Sequence, residues 1–139
     1  MSKKTLSIKY EPKYKDILEP YYTKETKSNI GFDLYLPCDV LFKPNETKFI
    51  NLGISCKYHD DNNNRYGFQL FPRNAILKTK IRLVNSAAFF DENYDGPIVV
   101  AVDNISNEYQ LLTHGEKYFQ LVFIKTEKPN VIFLEYNNS

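Results

Sequence analysis

Apolar and polar residues alternate along this chain in short runs, and the runs are separated by turn-forming residues at intervals of roughly ten. Thr5-Leu6-Ser7-Ile8-Lys9-Tyr10 changes face at every step, as a half-buried strand does. The same reading predicts strands over 30–36, 40–42, 48–50, 54–58, 66–71, 81–83, 98–102, 109–112, 118–124 and 131–134. Lys43-Pro44-Asn45-Glu46 is a turn, and His59-Asp60-Asp61-Asn62-Asn63-Asn64 is a polar loop without an apolar anchor. Glu11 to Lys27 carries Pro12, Pro20 and many charges, which predicts an irregular surface arm with a single short helical turn at Lys15–Leu18. No stretch shows the 3.6-residue period of an amphipathic helix. The pattern therefore predicts an all-β sandwich or barrel. Without internal repeats or a second boundary, residues 1–139 read as a single domain.

Composition narrows the function classes. Lysine and arginine number 18 against 17 aspartates and glutamates, well mixed, for a net charge of +1, so direct nucleic-acid binding is not expected. No apolar run approaches the ~20 residues of a membrane span. Met-Ser-Lys-Lys leads into no apolar signal core, which predicts an intracellular protein of cytoplasm or nucleus, not a secreted one. Cys38 and Cys56 are too few for a disulfide framework and read as reduced, small apolar residues. Aromatics make up 15% without any tryptophan, so Phe and Tyr must fill much of the core. The abundance of Lys, Asn, Ile, Tyr and Phe suggests an AT-rich genome, as some viruses have.

The least generic stretch is Leu83 to Ile98, where polar residues interrupt two apolar runs. Asn85 sits where a strand ends and can both donate and accept hydrogen bonds. Asp91 follows Phe89 and Phe90, which predicts apolar neighbours for its carboxylate. Tyr94-Asp95-Gly96 closes the segment with turn chemistry, glycine accepting positive φ at no steric cost. An amide, a carboxylate and a tyrosine face could together line a nucleoside pocket. Each alone would also suit a strand cap, a hairpin turn or a packed ring.

This segment resembles the third motif of the trimeric dUTPase family (deoxyuridine triphosphate nucleotidohydrolases). Gly31-Phe32-Asp33-Leu34-Tyr35 resembles the first motif, Pro72-Arg73-Asn74-Ala75 the second, and Gly115-Glu116-Lys117-Tyr118-Phe119-Gln120-Leu121 the fourth, in the family's order. The resemblance implies a jelly-roll-like (β-clip) fold, a homotrimer, and hydrolysis of dUTP to dUMP and pyrophosphate. Such a reaction limits uracil in DNA and supplies dUMP. It implies that Asp91 is the general base, that Asn85 recognises uracil, and that Tyr94 packs on deoxyribose and excludes a 2′-hydroxyl. Arg73, with Asn74 and Ala75, would reach phosphates of a nucleotide bound mainly by a neighbouring subunit. Gln120 would contact the α-phosphate, and Asp33 would orient phosphate and metal waters. Mg²⁺ would be held by the triphosphate and water, without a direct protein ligand. His59 and His114 lie outside every motif.

The sequence departs from the family's pattern at four places. Arg73-Asn74-Ala75 replaces an arginine followed by a hydroxyl and a small residue. Ala88 replaces a glycine, which predicts strain if φ is positive there. Asp95 adds a negative charge expected to face the phosphate region. The Gly-rich fifth motif has no counterpart before Ser139, which predicts slow turnover. These departures keep an alternative open: a catalytically weak, dUTPase-like module that binds nucleotide or a protein partner.

Overall fold

The computed structural model describes residues 3–24, 31–125 and 129–136. Twelve short strands appear among them: β1 Thr5–Tyr10, β2 Phe32–Leu34, β3 Val40–Phe42, β4 Thr47–Asn51, β5 Ile54–His59, β6 Arg65–Tyr66, β7 Phe68–Pro72, β8 Ile81–Leu83, β9 Ala88–Phe90, β10 Val99–Asn104, β11 Gln110–Leu112 and β12 Phe119–Val122. They form four antiparallel groups, ordered β1-β5-β6, β4-β10-β8, β11-β3 and β2-β12-β7-β9. The expected all-β architecture is what the chain adopts.

Alternation explains which faces are buried. In β10, Val100, Val102 and Asn104 point inward while Val99, Ala101 and Asp103 are half-exposed. Phe42, Phe68 and Phe119 are the largest fully buried side chains, joined by Leu34, Leu70 and Leu121 in one core. Burying each such side chain contributes roughly 1.5–3 kcal/mol against the entropy of ordering it. Asn104 is the polar exception. Its amide donates to the carbonyls of Lys43 (2.9 Å) and Glu108 (2.7 Å), so its burial costs no unmade bond.

Three expectations need correction. The arm after β1 holds a nine-residue helix, α1 Lys15–Thr23, where a single turn was expected. Pro20 and the short length hide its period, but packing overrides the proline. Leu18 is fully buried, Tyr22 packs edge-on to Tyr35 at 5.0 Å and stacks on Phe32 at 5.7 Å, and the Tyr35 backbone N–H donates to the Tyr22 hydroxyl. Gly53, at φ +80°, lets this helix close in: a Cβ there would lie 2.8 Å from Leu18 Cδ1.

The second correction concerns the end of the described chain. Residues 131–134 are exposed and irregular, with no strand partner, although their apolar run reads as a strand. Sequence alone cannot show whether an apolar run finds a neighbour. The third concerns the two cysteines, read alike as small apolar residues: Cys38 is exposed and Cys56 buried. Burial pushes the Cys56 thiol up to about 12, which leaves it without thiolate character at neutral pH. Ile30, expected to begin the second strand, lies outside the described residues. No helix among the described residues is long and apolar enough to cross a membrane.

Candidate active site

The β2-β12-β7-β9 sheet carries the four motifs. In register, Gln120 of β12 lies opposite Asp33 of β2 on one side and Phe71 of β7 on the other. Leu70 of β7 then lies opposite Ala88 of β9. Residues nearly ninety positions apart thus come into adjacent strands. The sheet presents them as two separate clusters.

The first cluster forms around Asp33, a carboxylate only 7% exposed. Arg73 Nε lies 2.8 Å from its Oδ1, and Lys117 Nζ lies 3.8 Å from its Oδ2. Arg73 is pinned further: its Nη1 donates to the Lys117 carbonyl at 3.0 Å and its backbone N–H to the Tyr118 carbonyl at 2.8 Å. Its side chain remains 31% exposed. One carboxylate facing two cations leaves a net positive cluster, the sign that phosphates need. Lys117 belongs to this cluster, yet its place in the fourth-motif block gave it no role in the sequence reading.

Gln120 adjoins the cluster. Its Nε2 donates to the Pro72 carbonyl at 3.3 Å, and its Oε1 lies 2.6 Å from where a Cβ on Gly31 would stand. Gly31 is thus small because the glutamine lies over it. Asn74 is exposed and Ala75 half-exposed at the start of a 3-10 turn, Asn74–Lys78, that follows β7. Arg73 caps that turn in extended conformation, which aims its side chain back toward β2.

The second cluster surrounds β9. Asn85 is exposed in the turn before the strand, where Ser86 takes φ 60°. Asp91 is exposed directly after the strand, its Oδ1 accepting the Asn93 backbone N–H at 3.0 Å. That corrects the expected apolar surroundings within one chain: Phe90 packs inward at 5.1 Å on Phe68, while Phe89 points out and is 73% exposed. Tyr94 is half-buried, and its hydroxyl donates to the Pro97 carbonyl at 2.5 Å.

Two backbone expectations also change. Gly96 has no positive φ; it is glycine because the Tyr94 ring lies on it, and a Cβ would meet the hydroxyl oxygen at 2.7 Å and Cζ at 2.8 Å. Ala88 sits in β9 without positive φ, so the predicted strain is absent. Asp95 does not stand as an uncompensated charge either, being paired with Arg65 at 2.7 Å.

Asp91 and Arg73 stand far apart within one chain. The β7–β9 register sets Asp91 beside Gly67, and Arg73 lies six residues farther along the same chain. At ~3.3 Å per residue that is roughly 20 Å. No three His, Cys, Asp or Glu side chains converge to hold a metal among the described residues, and both Asp33 oxygens face cations.

An all-β fold with a cationic cluster and a separate polar hairpin is that of a class of nucleotide-handling proteins already solved. The fold matches EIAV dUTPase (TM-score 0.67, 20% identity, 96% of this chain and 99% of that one) and a point mutant of Staphylococcus bacteriophage 80alpha dUTPase with dUpNHpp (TM-score 0.72, 16% identity, 97% and 90%). It also matches the dUTPase of phage phi11 of S. aureus, in which a structural Mg(II) ion is coordinated (TM-score 0.72, 15% identity, 97% and 99%). The dUTPase family model matches residues 19–138, and the chain belongs to the dUTPase family. Among its relatives, the deoxyuridine 5′-triphosphate nucleotidohydrolase of Nautilia profundicola is 30% identical over 94% of this chain and 88% of its own length. That of Clostridium kluyveri is 33% identical over 82% and 76%.

Proposed function

We propose that this chain hydrolyses dUTP to dUMP and pyrophosphate, and that it does so as a homotrimer whose sites form between neighbouring subunits. The observation that carries the reading is the roughly 20 Å between the Asp91 hairpin and the Arg73 cluster along one chain, since a single triphosphate must engage both. A second copy brings another chain's cluster to each hairpin. Exposed Phe49, Leu77 and Phe89 offer apolar surface for that contact.

In this reading Asn85 and hairpin backbone groups face the uracil edge, and the Tyr94 ring lies against deoxyribose. Asp91 accepts a proton from water as the water oxygen bonds to the α-phosphorus. The bond from that phosphorus to the bridging oxygen breaks in line, and pyrophosphate leaves. Arg73, Lys117 and Gln120 of the neighbouring subunit stabilise the charge that builds on phosphate oxygens. Asp33 holds the two cations in place, and the Asn74 amide is available as a further donor. Mg²⁺ would be held by the triphosphate and its waters without a direct protein ligand, and would supply charge neutralisation there.

Pyrophosphate release from dUTP, dCTP, dTTP and UTP tests the reading. Release from dUTP alone is expected. Nucleotide binding without release from any of the four would make the chain a binding module instead.

A further inference from the structure

Asp95 adds a charge next to the sugar-facing tyrosine, and the structure supplies its counterpart. Arg65 stands on the edge strand β6, opposite His59. Its Nη1 donates to Asp95 Oδ1 at 2.7 Å, and its Nη2 donates to the Tyr94 backbone carbonyl at 2.9 Å. Lys57 Nζ approaches the same Asp95 oxygen at 3.9 Å, but from an exposed position. The guanidinium is the better shielded group, 26% exposed against 64% for Asp95.

The Tyr94 ring has three further contacts and stays half-buried. Its hydroxyl is tied to the Pro97 carbonyl, Gly96 lies beneath it, and Phe90 stands 5.4 Å away at 50°. The Tyr94 backbone N–H donates to the Asp91 carbonyl at 3.0 Å, which leaves its own carbonyl to be held. Arg65 fixes that remaining point, and the planar fork lets one side chain do so while holding Asp95. A solvent-exposed pair alone contributes little to stability. Its consequence here is one of location, because a misplacement of ~1 Å near a reacting group can cost ~10²-fold.

We propose that Arg65 is a positioning residue for sugar selection: its fork to Asp95 and the Tyr94 carbonyl sets where the Tyr94 ring stands, and so how strongly a 2′-hydroxyl is rejected. The inference rests on Tyr94 facing the deoxyribose. Arg65 itself touches no substrate. Its loss acts through the ring and falls on the choice between substrates more than on the chemical step.

Steady-state kcat/KM for dUTP and for UTP, measured on wild type, Arg65→Gln, Arg65→Lys and Tyr94→Ala, separates the two ideas. Arg65→Gln should narrow the dUTP/UTP ratio about tenfold, chiefly through KM, while thermal unfolding shifts little. Arg65→Lys keeps the charge but not the fork, and should fall between wild type and Arg65→Gln. If Tyr94→Ala narrows the ratio and both Arg65 variants leave it unchanged, the positioning role is overturned while the Tyr94 reading stands. An unchanged ratio in Tyr94→Ala removes both. Should Arg65→Gln fail to fold, Asp95→Ala at its exposed position breaks the same fork, and an unaltered ratio there overturns the proposal.

Discussion

Arg73 Nε stands 2.8 Å from Asp33 Oδ1, and this pair ties the end of β7 to β2 across the intervening strand β12. The contact is charge to charge, since no hydrogen bond is aligned on that oxygen among the described residues. The guanidinium is therefore positioned by Asp33 and the Lys117 carbonyl without being consumed by them. Replacing Asp33 by Asn should leave folding largely intact but loosen Arg73 and Lys117 together. The expected outcome is a raised KM for dUTP and a lower kcat, with Arg73→Lys costing ~10²-fold or more in kcat/KM because an ammonium cannot fork.

Asp91→Asn keeps the hairpin turn, since the amide oxygen still accepts the Asn93 N–H, but it cannot take the water's proton. Turnover should fall ~10²–10⁴-fold while dUMP binding, followed by calorimetry, changes little. An unaltered rate would remove Asp91 from the chemistry.

The proposed sharing of sites between subunits makes a sharper prediction. Asp91→Asn and Arg73→Ala proteins, each inactive alone, should regain about a quarter of wild-type activity when unfolded together in equal amounts and refolded, because one site in each mixed trimer is intact. Light scattering should report three chains. Silence in the mixture would place both residues in one subunit's site.

Gly96→Ala sets a methyl group within 2.7–3.2 Å of the Tyr94 ring. The ring must move, at a cost of about 1–3 kcal/mol by analogy with overpacked cores. Thermal unfolding and the KM for dUTP should both report it, while a variant at exposed Glu92 should change neither.

Acid stability should depend on Asp60. Burial raises its carboxyl, but the Asn64 backbone and side chain, the Tyr66 hydroxyl and the Asn62 N–H outweigh that and hold it below the usual carboxylate range. A depressed folded-state value means the stabilisation is fully present above the ordinary carboxyl value and is lost as pH falls through the lower folded one. Asp60→Asn should therefore unfold more easily at pH 7 but lose less on acidification, as urea titrations at several pH values would show.

Much of this was legible in the sequence. Alternation located β1, β10 and β11 closely, because in each a single face is buried. The four motif blocks located every residue assigned to the site. What escaped was tertiary. Nothing in Lys15–Thr23 reveals that Leu18 and Tyr22 will be buried, so Pro20 dominates a local reading. Arg65 sits in a polar loop's shadow, and only the fold brings it to Asp95. Gly96 shows the converse, a correctly noticed glycine whose reason is a ring and not a dihedral angle.

The central place of β12 has a temporal consequence. Its neighbours β2 and β7 are made earlier, yet each pairs with β12, a strand that ends at Val122, and not with the other. A nascent chain that has released fewer residues than this holds Asp33 and Arg73 with nothing between them. Their cluster cannot form on the ribosome until β12 has emerged. The long-range pairing also predicts folding on the slower, β-protein side of the range. The Asp33–Arg73 cluster thus waits on β12, and a truncation that removes this strand should leave the earlier hairpins without it.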